Sequence, residues 1–281
     1  MVKIISDTLT CISPDEARQI GLGLIPQLVV FGDETYRDDT EINPSEFLRR
    51  LKASSSLPKT AAPPPALYAP LFAEYSAQGE TFVVVCPTAE ASGTFRSATV
   101  AAQDFPNADI RVVDTKLLAG CHGAVAKAAV GWASAGLDAD AIIEKIEEMA
   151  PRNRTYFLVN TLEYLYKGGR IGAARALVGS LLQMKPILTF RNGHTEPFES
   201  QRTHRRALAR MKEVILEDCP RSPDAHLCIM QGDAEQEARA LTSEFAAELG
   251  VPVESIPVYE MTPAILVHSG PGVLGVSYFV A

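Results

Sequence analysis

Apolar and polar positions follow two different patterns along this chain, and the change between them falls near residue 150. The first half sets short apolar runs against stretches of helical spacing. Val2 to Ser6 predicts a strand, Leu24 to Phe31 a second and Thr81 to Cys86 a third. The last is nearly unbroken in apolar residues, as a strand covered on both faces must be. Ser13-Pro14-Asp15-Glu16 reads as a capping box with proline at the first helical position, and Asn43-Pro44-Ser45-Glu46 opens a helix in the same way. Residues 54 to 65 read as a loop, because their prolines continue neither a helix nor a ladder. A helix is expected from about Phe95, a strand from Ile110 to Val113, and two helices up to Met149. Such alternation predicts a parallel sheet flanked by helices.

The second half has more strands and fewer crossovers. Tyr156 to Asn160, Pro186 to Phe190, Glu196 to Gln201, Leu227 to Gln231, Val253 to Val258 and Leu274 to Val280 are strand candidates. Asn192-Gly193 separates two of them with a hairpin signal. Helices are expected from about His204 to Glu217 and from Glu235 to Leu249. The fold class is α/β with two domains: residues 1–153 around a parallel sheet, and residues 154–281 around a mixed six-stranded sheet with helices.

Composition narrows the functional classes. The 281 residues are 47% hydrophobic but only 7% aromatic, so the apolar mass is mostly aliphatic. A net charge of -8 without a basic stripe argues against a nucleic-acid partner, which needs cations to displace counterions. Five cysteines, odd in number and without C-x-x-C spacing, suit reduced thiols in a cytoplasmic protein. No signal peptide is visible, and no run approaches the roughly 18 apolar residues of a membrane span, so no stable membrane insertion is expected.

Four polar clusters sit at strand ends or in glycine-rich turns, where ligand contacts concentrate. They are Ser6-Asp7-Thr8, Ala91-Ser92-Gly93-Thr94, Lys167-Gly168-Gly169-Arg170-Ile171-Gly172 and His268-Ser269-Gly270-Pro271-Gly272. Each has an ordinary structural reading: Ser-Gly-Thr and Asp7 as helix caps, Gly-Gly-Arg as a helix end with a solvated arginine, the lone histidine as part of a turn. Catalytic motifs fail on inspection. Gly270-Pro271-Gly272-Val273-Leu274-Gly275 matches G-x-G-x-x-G but runs into a strand, so it is no dinucleotide site. There is no P-loop, Ser92 lacks the glycines of a nucleophile elbow, and the histidines and cysteines show no zinc spacing. Hydroxyls, one arginine and one histidine without a base–nucleophile pair favour binding an anion over transforming it.

Taken in order, these clusters resemble the DegV family of fatty-acid-binding proteins. The resemblance runs through Ile5-Ser6-Asp7-Thr8, Ile25-Pro26-Gln27-Leu28, Tyr36-Arg37-Asp38 and Lys59-Thr60-Ala61-Ala62-Pro63. It continues with Ser92-Gly93-Thr94-Phe95-Arg96-Ser97-Ala98, Val113-Asp114-Thr115, Lys185-Pro186-Ile187-Leu188 and His268-Ser269-Gly270-Pro271-Gly272. The most specific piece is Leu162-Glu163-Tyr164-Leu165-Tyr166-Lys167-Gly168-Gly169-Arg170-Ile171. The resemblance implies one long-chain fatty acid, such as palmitate, stearate or oleate, held in an apolar tunnel with its carboxylate at the domain junction. It implies carboxylate contacts from Thr60, Ser92, Gly93 through its N–H, and His268, with Arg170 neutralising the headgroup or a phosphate. It further implies a monomeric carrier, without cofactor or metal, that presents the lipid to a separate fatty acid kinase. The chain departs from the family where Ala61-Ala62 replaces the usual Ser-Gln, which removes a hydroxyl and an amide. Leu28, Val30, Phe95, Leu158, Leu181, Met184 and Ile187 are tunnel-lining candidates and equally candidates for plain core. The competing reading is an enzyme, a phosphotransferase or hydrolase acting at Ser92, Arg170 and His268. A third is an interaction protein with a vestigial pocket.

Overall fold

A computed structural model describes residues 2–178 and 184–281. The tunnel candidate Leu181 lies outside these described residues. Two compact units share the chain. The first comprises residues up to Asn43 and Pro58–Pro151, the second Pro44–Leu57 and Arg152–Ala281.

The first unit is built on a four-stranded parallel sheet. Its strands are β1 (Val2–Asp7), β2 (Gly23–Ile25), β6 (Thr81–Cys86) and β7 (Ile110–Asp114), in the order β2-β1-β6-β7. Side chains alternate along a strand, so β6 serves two cores. Phe82, Val84 and Cys86 pack with Tyr68 and Phe72, which flank or lie on α3 (Ala69–Ala77), and with Ala98 and Ala101 of α4 (Thr94–Gln103). Val83 and Val85 are buried as well, and α5 (Ala119–Ser134) and α6 (Ala139–Met149) lie against β1 and β6. Helices on both sides explain the unbroken apolar run of β6. At the start of α1 (Pro14–Ile20), Ser13 accepts the Glu16 N–H at 3.1 Å, as the capping box predicts.

A small antiparallel sheet completes this unit: β3 (Leu28–Phe31), β4 (Glu34–Arg37) and β5 (Lys59–Ala61), in the order β4-β3-β5. It corrects two sequence expectations. The single strand expected from Leu24 to Phe31 is two strands in different sheets. Pro26 has no N–H to give a ladder, and the Gln27 N–H goes to Thr8 Oγ1 and Asp38 Oδ1 instead. Inside the expected proline loop, Lys59–Ala61 lies between prolines and still pairs with β3.

The second unit centres on the mixed six-stranded sheet expected from the sequence. Its strands are β8 (Asn153–Leu158), β9 (Lys185–Arg191), β10 (His194–Gln201), β11 (Cys228–Gly232), β12 (Val258–Glu260) and β13 (Val273–Phe279). The order is β10-β9-β8-β13-β11-β12, with only β11 and β12 parallel. The β9–β10 turn has φ of 50° at Asn192 and 83° at Gly193, the pair of positive values that an Asn-Gly hairpin turn requires. One face of the sheet, with Leu158, Ile187, Ile229, Leu274 and Val276, packs on α8 (His204–Asp218) and α9 (Glu235–Leu249). The strand expected at Val253 to Val258 is a turn of 3-10 helix at Val253–Ser255 before the short β12, since Pro252 and Pro257 cannot donate to a ladder.

Residues 44–57 also belong to the second unit, where the sequence reading placed them in the first. The reason is α2 (Pro44–Ala53), whose Phe47, Leu48 and Leu51 are buried. It packs beside α10 (Pro263–Ser269), and Lys52 pairs with Asp233 at 2.7 Å. No helix among the described residues is long and apolar enough to cross a membrane. All five cysteines are buried and free of disulfides.

Candidate functional site

Three of the five headgroup residues expected from sequence, Thr60, Ser92 and Gly93, lie in the first unit. Thr60 sits half-buried in β5, paired with Val29 of β3. Ser92 and Gly93 form the turn that opens α4. The two segments touch. A Cβ built on Gly93 would stand 3.2 Å from Cβ of Ala62, a closer approach than most side chains make. Ser97 of α4 donates to the Pro63 carbonyl. Glycine at 93 therefore lets the proline-rich segment rest against the start of α4, with Thr60 two residues upstream of that contact.

Behind this turn lies a buried polar network. Ser92 Oγ and Thr94 Oγ1 are 2.9 Å apart, and Ser92 Oγ also accepts the Thr94 N–H at 3.3 Å. The Gln27 amide donates to Thr94 Oγ1 at 2.9 Å and to Asp7 Oδ2 at 2.7 Å. Asp7 Oδ1 caps the following 3-10 turn by accepting the Leu9 N–H at 2.9 Å, the capping role expected of it. Beside it, Asp38 Oδ1 accepts from Thr8 Oγ1 at 2.7 Å and from the Gln27 N–H at 2.8 Å. Asp38 Oδ2 is buried with no hydrogen-bond partner. Burial, only partly offset by those two donors, pushes the Asp38 carboxyl up to about 7.

The fully buried His122 of α5 joins the same region. Ser6 Oγ gives its one proton to the Val85 carbonyl at 2.8 Å, so at 3.1 Å it accepts from His122 Nε2. Thr115 Oγ1 stands 3.3 Å from Nδ1.

The other two expected residues, Arg170 and His268, lie in the second unit. His268 occupies the last turn of α10 and is half-buried. Gly168 caps α7 (Glu163–Lys167), as the Gly-Gly-Arg pattern suggested, and a Cβ there would overlap His268 Nδ1. Gly270 has φ of 72° and would likewise meet the Tyr164 ring, and Gly272 the Asn160 amide. The glycines of the two motifs are thus the contact surfaces through which the α7 loop and the α10 loop interlock. Arg170 is exposed, and its Nη1 donates to the Gly168 carbonyl at 2.8 Å. Burial, and then the Arg170 charge, lower His268 to about 4, so its imidazole is neutral at pH 7. Arg170 is the cationic member of the pair.

The tunnel candidates separate by environment. Leu158 and Ile187 are buried members of the second unit's core, and Phe95 packs on the core of the first. Leu28 and Val30 are half-buried on β3. Met184 lines a cleft of about 400 Å³ with Leu162, Tyr166, Val178 and Pro186. No cluster of metal-ligating side chains occurs among the described residues.

The model of an uncharacterised protein family, DegV, matches residues 1–281. A DegV domain-containing protein of Streptomyces coelicolor is 34% identical over 98% of this chain and 97% of its own length. The chain belongs to the DegV family. Two solved DegV structures share its fold from end to end. One is a DegV family protein from Thermus thermophilus described for its fatty acid binding, with a TM-score of 0.89 and 28% identity. The other is Bacillus subtilis DegV, described as a fatty acid binding protein, with a TM-score of 0.84 and 30% identity. Both alignments cover 100% of this chain and 99% of the other. The DegV fold, two-domain α/β with one parallel and one mixed sheet, is thereby the one the sequence suggested. Gln27 and Asp38, to which the sequence assigned no role, carried a signal as members of the ordered motif string, and Thr94 stood in the Ser-Gly-Thr cluster. His122 carried none, standing in no motif and in no metal-ligand spacing.

Proposed function

We propose that this DegV protein binds one long-chain fatty acid and carries it, without itself being an enzyme. The observation that carries the reading is the end-to-end likeness to two DegV proteins described as binding fatty acids. Physical chemistry supports it. Burying about fourteen methylenes at roughly 0.8 kcal/mol each supplies on the order of 10 kcal/mol before the costs of association. The headgroup then serves mainly for orientation and selectivity. Thr60, Ser92 and the Gly93 N–H donate to the carboxylate, as does neutral His268. Arg170 supplies the charge, with net contributions of about 1.5–3 kcal/mol for a charge-assisted bond. The chain acts as a cytoplasmic monomer that presents the carboxylate to a separate fatty acid kinase.

Native mass spectrometry of the purified protein tests the central claim: a fatty acid of sixteen to eighteen carbons should travel with it. Protein that is empty and ignores added palmitate and oleate overturns it. A double-mutant cycle with Ser92→Ala and His268→Ala should give coupled losses of oleate affinity; strictly additive losses would mean that they do not serve one carboxylate. Incubation with ATP and oleate should yield no acyl phosphate until a kinase is added. Turnover by the chain alone would instead make it the enzyme acting at Ser92, Arg170 and His268.

A further inference from the structure

Which way the protons point along the Gln27–Thr94–Ser92 chain follows from counting donors and acceptors. The Gln27 side-chain nitrogen carries two hydrogens, and both are placed: one on Asp7 Oδ2 at 2.7 Å, one on Thr94 Oγ1 at 2.9 Å. Thr94 is 2% exposed, so its own hydroxyl proton must find an acceptor or remain buried and unsatisfied. Among the described residues the acceptor within reach is Ser92 Oγ, at 2.9 Å. Ser92 Oγ also takes the Thr94 N–H at 3.3 Å. Both lone pairs of Ser92 are then engaged, and its hydroxyl retains only its proton to offer.

We propose that Gln27, clamped by Asp7, is a positioning residue that makes Ser92 a one-way hydrogen-bond donor, selecting lipids whose headgroup is a pure acceptor, a carboxylate or an acyl phosphate, over fatty alcohols. The proposal rests on the fatty-acid reading above and adds a specificity device to it. Without Gln27, Thr94 Oγ1 becomes free to accept, and Ser92 can turn its proton inward. The donor facing the ligand is then lost from part of the population. The sequence separations involved, 20 residues from Asp7 to Gln27 and 67 from Gln27 to Thr94, make this a property of the folded first unit alone.

The test is the ratio of affinities for oleate and oleyl alcohol, measured by displacement of a fluorescent fatty acid. Gln27→Leu and Thr94→Val should each lower the oleate-to-alcohol ratio about tenfold, the difference between a charge-assisted and a neutral hydrogen bond. Thr94→Ser, which keeps the relay hydroxyl, should restore it. A merely structural role would weaken both ligands alike and leave the ratio unmoved. A ratio within twofold of the starting protein's in both variants overturns the proposal. The ligand-free protein gives a second readout by NMR. Both Gln27 side-chain amide protons should exchange slowly, and one of them should speed up in Thr94→Val. If either proton exchanges freely in the starting protein, the relay does not exist. A starting protein that shows slow exchange but binds no oleate refutes the fatty-acid reading and the selectivity claimed here, and leaves the relay as a structural feature.

Discussion

Gly168 meets the His268 imidazole so closely that any side chain at 168 would occupy the space of Nδ1. This contact joins two motifs 100 residues apart and sets where the imidazole stands. Gly168→Ala is expected to displace the ring and lower oleate affinity by roughly tenfold, about 1.4 kcal/mol. Gly169 is the control. It has φ of 71° and open space around it, so Gly169→Ala should cost about 1 kcal/mol of stability while leaving affinity intact. Calorimetry and the His268 ring resonances measure both effects. An undisturbed ring in Gly168→Ala would refute the first.

His268, lowered to about 4 by burial and by Arg170, should stay neutral through the physiological range. The folded protein then binds its proton less readily than the unfolded chain, whose histidine titrates near 6.5. Stability from this residue is present above pH 6.5 and is lost as the pH falls towards 4. NMR titration should show the ring protonating near pH 4, and oleate affinity should not follow an imidazole titration between pH 6 and 8.

Asp38 has the opposite sign. Its carboxyl is pushed from 3.8 up to about 7, so the fold holds a proton that the unfolded chain has released. Its stabilising contribution is complete below about pH 4 and is lost as the pH rises to 7; three units correspond to roughly 4 kcal/mol. Asp38→Asn keeps an oxygen for Thr8 and the Gln27 N–H. It should therefore be more stable than the starting protein at pH 8, with the difference vanishing near pH 4. Urea unfolding at the two pH values checks this, and a pH-independent difference would count against it.

The core of the first unit depends on a cluster of aromatics packed in tilted and edge-on contacts. The Phe72 ring centroid lies 5.6 Å from Tyr68, 5.1 Å from Phe82 and 5.7 Å from Phe105, and Phe72 is fully buried. Phe72→Ala should cost about 3–5 kcal/mol. Denaturant unfolding followed by far-UV circular dichroism gives the number.

Period and punctuation carried much of the fold. The β6 run, the capping box at Ser13, the Asn192-Gly193 hairpin and helices α8 and α9 are local features. Apolar spacing and turn residues set them within a window of a few residues. Where prolines intervened, local reading failed. Pro26 split one expected strand into β2 and β3, and β5 formed between prolines because β3 was there to pair with it. The placement of α2 in the second unit is of the same kind, since nothing within Pro44–Ala53 names the helix its apolar face will meet.

For the candidate site, the sequence by itself determined which residue types stand ready: hydroxyls at Thr60 and Ser92, an imidazole at His268, a cation at Arg170, and glycines around them. Only the tertiary structure decided what those residues touch. It set Gly168 under His268, buried that imidazole into neutrality, and brought Gln27 and Asp7 behind Thr94 and Ser92. The physical reason is range. Backbone periodicity is a short-range property written in neighbouring residues. Hydrogen-bond partnership and desolvation depend on segments scores of residues apart, which meet only when the sheets assemble.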